Sequence, residues 1–455
     1  MESPDSGEKM NNEQNILLTD SIPKLFIKYS IPAVIAMVIS GAQGIIDGAF
    51  VGNQIGDNAL ASISIASPFM QTIIGLSMVV SIGAQSHISI KLGMNKTDEA
   101  KDTFKTFLKF IIIGALLLSV AGIFFSNQIA SLLGANEVLL EGSSGYIQVL
   151  AIFAVPMCLM FYFGFLDRLL EKPQLYFWGT ILSLIINVSL DAVLLMHFKL
   201  GIRAAAFATG MAYIGALFIV CSPFFNKKNI LNLWVGKFDK RHIRPVLYNG
   251  ASEGINSVST AVTLFLFNTA LMSIAGEDGV AAFTTINYIG VFGTLLLFGI
   301  SDGIGPIVSY NFGANENKRI KKIMTIGYTS NLLIGILIFS LLYFFGEPLV
   351  KLFIKDNKEL IQMAVDGGKL YAATFLFSGI NILNSGYFTF IGKGLESIIV
   401  ASSRGIIFIS IGMFILPKYM GIQGVWLAVP FAELIALGIG MYLLNRTKKL
   451  KTKII

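Results

Sequence analysis

Asp47, Asn187, Asp191 and Thr209 are the side chains of this sequence best placed to do chemistry, because each interrupts an otherwise apolar run. A charged or strongly polar group in such surroundings is costly unless it faces a cavity, a partner or an ion. Asn187 and Asp191 stand four residues apart in NVSLD, so on a helix they share a face. The four supply two carboxylates, an amide and a hydroxyl, a hard-oxygen set that suits Na⁺ as a bound metal ion. Two carboxylates drawn close together can instead hold a proton between them. The residue types permit either ion.

Other polar groups interrupt apolar runs in the same way. Gln43 and Glu253 are candidate contacts for a substrate or a second cation. Asp302 can pair with a nearby Lys or Arg, Asp167-Arg168 reads as a gate or packing pair, and Arg404 and Glu433 have the charges for an intramembrane ion pair. Pro32 lies upstream of Asp47, where a missing backbone N–H can bend the helix that carries it. Phe153, Met157, Met160 and Phe161 either line an adaptable apolar cavity or fill a core. His87, His197 and His242 are too scattered to suggest a metal centre, and Cys158 and Cys221 offer neither a disulfide framework nor a zinc cluster.

The elements that must position these residues are membrane helices. Hydrophobic residues make up 54% of the 455, and Asp, Glu, Lys and Arg only 13%, against about 25% in an ordinary globular domain. Apolar runs long enough to cross a bilayer fall near 29–50, 59–83, 107–126, 145–167, 174–197 and 203–224, then near 246–272, 280–304, 325–345, 370–392, 397–416 and 424–445. The expected fold class is therefore all-α, with twelve transmembrane helices. The runs are continuous, which excludes the short alternating strands of a membrane barrel.

Alternate loops and both ends carry 26 Lys and Arg, whereas the opposite loops carry seven. This asymmetry places both termini in the cytoplasm and accounts for the net charge of +7 without nucleic acid. With span 1 entering near Tyr29, Asp47 lies about 27 Å across, Asp191 lies about 26 Å from Gln174, and Thr209 lies roughly 9 Å in from the outer surface at 1.5 Å per residue. Three helices thus bring the four residues to the outer half of a hydrocarbon core about 30 Å thick.

The chain repeats itself. SIGAQSHISIKLGMN at 81–95 matches SDGIGPIVSYNFGAN at 301–315, IGDNALAS at 55–62 matches AGEDGVAA at 275–282, and Gly201-Ile202 matches Gly421-Ile422, always at an offset of 220. Six helices per repeat gives two parallel lobes related by a pseudo-twofold along the membrane normal, a recurring transporter design. The expected organisation is a disordered cytoplasmic tail at 1–20, an N-lobe at 21–225, a basic cytoplasmic linker at 226–245, a C-lobe at 246–445 and a basic tail at 446–455. Short interfacial helices are expected near 126–145 and 347–369, closing each lobe.

No Walker A or HExxH run occurs, so neither an ATP engine nor an enzyme is expected, and no cofactor beyond a coupling ion. SIPAVIAMVISGAQGIIDGAFVGNQIGDNALASISIASP, GAQSHISIKLGMNKTDEA and DGIGPIVSYNFGANENKRIKK resemble the multidrug and toxic compound extrusion (MATE) family, in its bacterial MepA-like branch. The resemblance covers about 22–445. It implies two six-helix lobes around a V-shaped cleft, with export of lipophilic or cationic organic compounds in exchange for H⁺ or Na⁺ by alternating access. It also implies a bacterial inner-membrane protein acting as a monomer among lipids. In related members a helix-1 proline and aspartate, a helix-5 Asn-x-x-x-Asp and a helix-6 threonine form the lobe-one site, here resembling Pro32, Asp47, Asn187 with Asp191, and Thr209. Another branch uses acids in helices 7 and 10; Glu253 matches the first, but span 10 has no acid. A flippase for lipid-linked oligosaccharide, from the same broad superfamily, is the alternative.

Overall fold

The computed structural model describes residues 15–354 and 357–452. Among them there is no strand, as expected for continuous apolar runs that cross a bilayer as helices, each satisfying its own backbone groups without water. In the first half, α1 (Ile16–Thr19), α2 (Ile22–Gln54), α3 (Asp57–Gly93), α4 (Thr97–Phe124) and α5 (Ser126–Leu132) lead into α6 (Glu137–Ile152) and α7 (Ala154–Leu166). That last pair bends by 52° at its break. Next come α8 (Gln174–Asp191), which continues as a π-helical segment at Ala192–His197, and α9 (Gly201–Cys221).

The second half begins with α10 (Ile243–Gly313), which is two helices bent at Gly276 (φ 63°, ψ −151°), a backbone conformation that only glycine adopts without strain. Its counterpart at the offset of 220 is Gly56 (φ 110°), in the turn between α2 and α3. Then follow α11 (Asn317–Phe344), α12 (Gly346–Val350), α13 (Lys358–Ala372), α14 (Thr374–Phe390), α15 (Gly394–Ser402), a π-helical segment at Ser403–Ile407, α16 (Phe408–Met420) and α17 (Ile422–Thr452). Among the described residues nine helices are long and apolar enough to cross a membrane, or ten when the bent pair counts as one span. The short α5 and α12 fall where interfacial helices are expected.

The termini depart from expectation. Residues 1–14 of the predicted tail lie outside the described residues, but the rest of it is ordered. Ile16 N–H donates to Glu171 Oε1 (3.1 Å), and the Leu17 carbonyl accepts from Asn311 Nδ2 (3.0 Å) and Arg319 Nη2 (3.0 Å). These side chains claim the backbone of a segment whose polarity suggested mobility, and Leu17 is buried. At the other end α17 continues helically beyond residue 446, where a tail was expected. The 226–245 linker is docked on α4: Lys105 Nζ donates to the Leu233 carbonyl (2.6 Å), and Lys237 N–H donates to Asp102 Oδ1 (2.7 Å). Within the linker, hydrogen bonds from Arg241 hold the Asp239 carboxyl down at about 2.

The two halves meet through glycines. A Cβ on Gly83 would come within 2.5 Å of the Val246 carbonyl, and one on Gly303 within 2.5 Å of Ser30 Cα. Gly93 and Gly313 cross at 3.0 Å, measured from a Cβ built on either to the other's Cα. These pairs again differ by 220. Polar bonds reinforce the contact: Ser86 Oγ donates to the Thr389 carbonyl (2.8 Å) and Ser89 Oγ to the Pro306 carbonyl (3.2 Å). Arg168, buried against the Phe165 ring at 4.6 Å, donates from Nη1 to the Asp302 carbonyl at 2.7 Å. Asp302 thus meets an arginine through its backbone, while neither carboxylate oxygen of Asp167 finds a hydrogen-bond partner. All these contacts lie toward the Gly93 end of the helices. Toward the Gly56 and Gly276 end, the same helices present mostly half-buried and exposed residues.

Candidate cation site

The first-half site is built where α2, α8 and α9 converge. One turn before it, Ser183 Oγ on α8 donates to Gln43 Oε1 on α2 (3.4 Å). Advancing four residues on each helix brings Asp47 opposite Asn187, and four more on α8 bring Asp191 to the same face. Asp47 has Asp191, Asn187 and Thr209 as its polar side-chain neighbours, so the structure brings together all four residues singled out from the sequence. Gln43 belongs to this column rather than to Glu253.

Burial and hydrogen bonding give the cluster its chemistry. Asn187 and Asp191 are 0% exposed and Thr209 is 4% exposed. Asp47 Oδ1, both oxygens of Asp191 and both polar atoms of the Asn187 amide are buried without completing a well-formed hydrogen bond. Thr209 Oγ1 donates to the Ala205 carbonyl one turn back (3.1 Å), which commits its proton and leaves its lone pairs for an acceptor role. Buried polar groups are nearly always satisfied. A cluster of oxygens with no cationic side chain bonded to it therefore fits an entering cation, either a metal ion ligated by several oxygens or a proton shared by the carboxylates.

Local backbone features help hold the site. Gly210 beside Thr209 leaves room for the Phe153 ring, and α8 widens into its π-helical segment directly after Asp191, a distortion frequent at functional sites. Pro32 lies inside α2, which runs unbroken from Ile22 to Gln54. The helix is gripped close to Pro32 on both sides, by Gly303 against Ser30 and by Gly299 against Val34, while Asp47 lies about 22 Å further along.

Two site residues were not singled out from the sequence. Tyr146 on α6 sets its hydroxyl beside Thr209, with Asp47 and Asp191 in Coulombic range. Tyr213 on α9 lies within the field of Asp47. A tyrosine in an apolar span is common in a chain with 14 of them, so only its place in the fold marks it. Conversely, Met157, Met160 and Phe161 are buried core rather than cavity lining.

Glu253 belongs to a separate group in the second half. Its Oε2 accepts from Asn256 Nδ2 (3.3 Å), and its charged neighbours are Asp302 and Arg404. The expected Arg404–Glu433 ion pair is formed, with Nη2 to Oε1 at 2.6 Å. Among the described residues, no group of three or more His, Cys, Asp or Glu is arranged to hold a metal ion.

Comparison with known proteins supplies the family. The MatE family model matches residues 32–193 and 255–414. Multidrug export protein MepA of Staphylococcus aureus (strain NCTC 8325 / PS 47) is 27% identical over 416 residues, covering 90% of each chain. Among solved structures, a MATE in complex with MaL6 superposes with a TM-score of 0.90 at 18% identity, covering 97% of this chain and 99% of the other. A MOP superfamily transporter from Pyrococcus furiosus superposes at 0.88 with 19% identity, covering 95% and 97%. Matched over most of both halves, this chain belongs to the MatE family, the multidrug and toxic compound extrusion efflux transporters.

Proposed function

We propose that this protein is a secondary active exporter in which a cation bound among Asp47, Asn187, Asp191 and Thr209 drives the outward movement of lipophilic organic cations. The observation that carries the reading is the buried oxygen cluster with unsatisfied hydrogen bonding, held by three helices of a MATE-family chain. On this reading the transmembrane bundle has twelve spans in two six-helix lobes, with α10 counted as two and α13 with α14 as one, related by the repeat at 220. Both termini and the 226–245 linker face the cytoplasm of a bacterial cell, and the protein works as a monomer in its membrane. Acidic groups together with abundant Phe and Met offer a cationic amphiphile both charge attraction and adaptable apolar contact. Ion entry would favour one packing of α2 over another about Pro32. That differential stabilisation is what shifts an inward–outward equilibrium.

Expression in a host lacking its own exporters is expected to lower the accumulation of a quaternary ammonium or planar cationic dye. Movement of anionic lipid-linked sugars alone, with no effect on dyes, would favour the flippase reading. Topology has its own test, using single cysteines at the exposed positions Asp57, Lys237 and Glu277 in a chain lacking Cys158 and Cys221. An impermeant thiol reagent is expected to label positions 57 and 277 from outside and to spare 237; external labelling at 237 would reverse the orientation. Thr209→Ala is expected to weaken Na⁺-driven more than H⁺-driven export, since a hydroxyl ligates a metal ion but stores no proton. Equal losses under both gradients would assign Thr209 a packing role.

A further inference from the structure

A cavity of about 910 Å³ opens on the flank of the first half, between α6, the π-helical segment after α8 and the start of α9. Two departures from regular helix shape it. The α6–α7 bend falls at Phe153, whose ring meets Phe207 edge-on with centroids 5.7 Å apart, and the widened turn at Ala192–His197 contributes Leu194. Val149 and Ile152 complete the apolar wall. Phe207 stands two residues from Thr209, so it points to the opposite side of α9 from the cation cluster. Ile152 is 57% exposed and Phe207 43%, and every lining residue belongs to the first half, the arrangement of a flank that meets lipid. Two opposite charges stand at the mouth. Glu141 lies on α6 one turn before Gly145, Arg203 lies in the first turn of α9, and both are exposed. Arg203 reaches across α6 where Gly145 has no side chain: a Cβ there would come within 2.6 Å of its Nε. Among the described residues, neither the Glu141 nor the Arg203 side chain forms a hydrogen bond or an ion pair, with each other or with any neighbour.

We propose that this groove binds one phospholipid whose headgroup carries both a phosphate and a primary ammonium, as phosphatidylethanolamine does. The phosphate pairs with Arg203, the ammonium pairs with Glu141, and an acyl chain lies along Val149, Ile152, Leu194 and Phe207. Charge complementarity selects the headgroup. A guanidinium suits a phosphate through paired N–H donors, and a primary ammonium donates to a carboxylate. A choline headgroup has no N–H to give Glu141, and a glycerol headgroup has no positive charge. The apolar wall calls for a chain, since a free phosphate would leave it uncovered. Phe153 packs both on this groove and over Gly210 beside Thr209, so the lipid shares a wall with the cation cluster. On the orientation proposed above the site lies in the outer leaflet, and it does not depend on which ion drives export.

The test titrates purified full-length protein in detergent with phosphatidylethanolamine, phosphatidylcholine and phosphatidylglycerol bearing the same acyl chains, and counts bound lipid by native mass spectrometry. The wild type is expected to prefer phosphatidylethanolamine. Arg203→Gln should weaken all three lipids by roughly fivefold, the scale of one basic side chain at a membrane surface. Glu141→Gln should lower phosphatidylethanolamine to the level of phosphatidylcholine and leave phosphatidylcholine unmoved. Val149→Trp, which fills the groove and keeps both charges, should weaken all three and so separate chain insertion from adsorption at the surface. Equal binding of the three lipids by the wild type, or a preference that survives Glu141→Gln, overturns the proposal. Binding that neither Arg203→Gln nor Val149→Trp weakens does the same. Failure of the wild type to export any dye would overturn the export reading and leave the lipid site standing.

Discussion

Asp47→Asn and Asp191→Asn are each expected to reduce gradient-driven export to the level of vesicles lacking the protein, while the protein stays folded in the membrane. Each change removes half of a buried carboxylate pair that has no cationic side chain bonded to it. A neutral amide at either position cannot hold the shared proton and is a weaker ligand for a metal ion. Stability provides the control. A buried carboxylate without a bonded partner is costly, so its neutral replacement should leave thermal stability equal or higher in the ion-free protein. Loss of transport accompanied by loss of fold would instead make Asp47 and Asp191 structural residues.

The second large effect concerns the packing between the halves. Gly93→Val and Gly313→Val are each expected to pry apart the Gly93 end of the bundle. A Cβ on Gly93 meets the Tyr310 carbonyl, and one on Gly313 meets the Ile90 carbonyl, at separations that real side chains do not show. Overpacking typically costs about 1–3 kcal/mol. At an interface between two bundles, that strain is relieved by separation rather than by unfolding, which shifts the conformational equilibrium by roughly 5- to 150-fold. A cysteine at Ser86, 1% exposed in the wild type, reports the change. In inside-out vesicles its reaction with a maleimide should quicken in the glycine variants, and export should fall. Unchanged labelling in a folded variant would show that these crossings do not hold the bundle shut.

Much of this was legible because a bilayer leaves few choices. Apolar runs must become helices, and acids within them must be explained, so Asp47, Asn187, Asp191 and Thr209 stand out by type and spacing alone, and the fold brings them together. The offset of 220 was legible as well; in three dimensions it recurs in the Gly93–Gly313 crossing and in the positive φ of Asn95 (61°) and Asn315 (60°). Other features depend on tertiary contact and leave no local sequence signal. Arg168 reads as the partner of adjacent Asp167, yet it reaches across to the Asp302 carbonyl, because the end of α7 points it at the other half. The 15–20 segment reads as a tail because its hydrogen-bond partners, Glu171, Asn311 and Arg319, lie more than 150 residues away. Tyr146 and Tyr213 escape notice because an isolated tyrosine is ordinary until its neighbours are known. The π-helical segments at Ala192–His197 and Ser403–Ile407 have no compositional mark at all.

Coupling of cation entry at the Asp47 cluster to export is tested most directly by dye efflux from proteoliposomes under separately imposed Na⁺ and pH gradients, with the wild type beside Asp47→Asn and Asp191→Asn. At least one gradient is expected to drive efflux in the wild type, and neither gradient should do so in either variant. Full gradient-driven efflux by both variants would contradict this coupling and make Glu253 the first residue to examine.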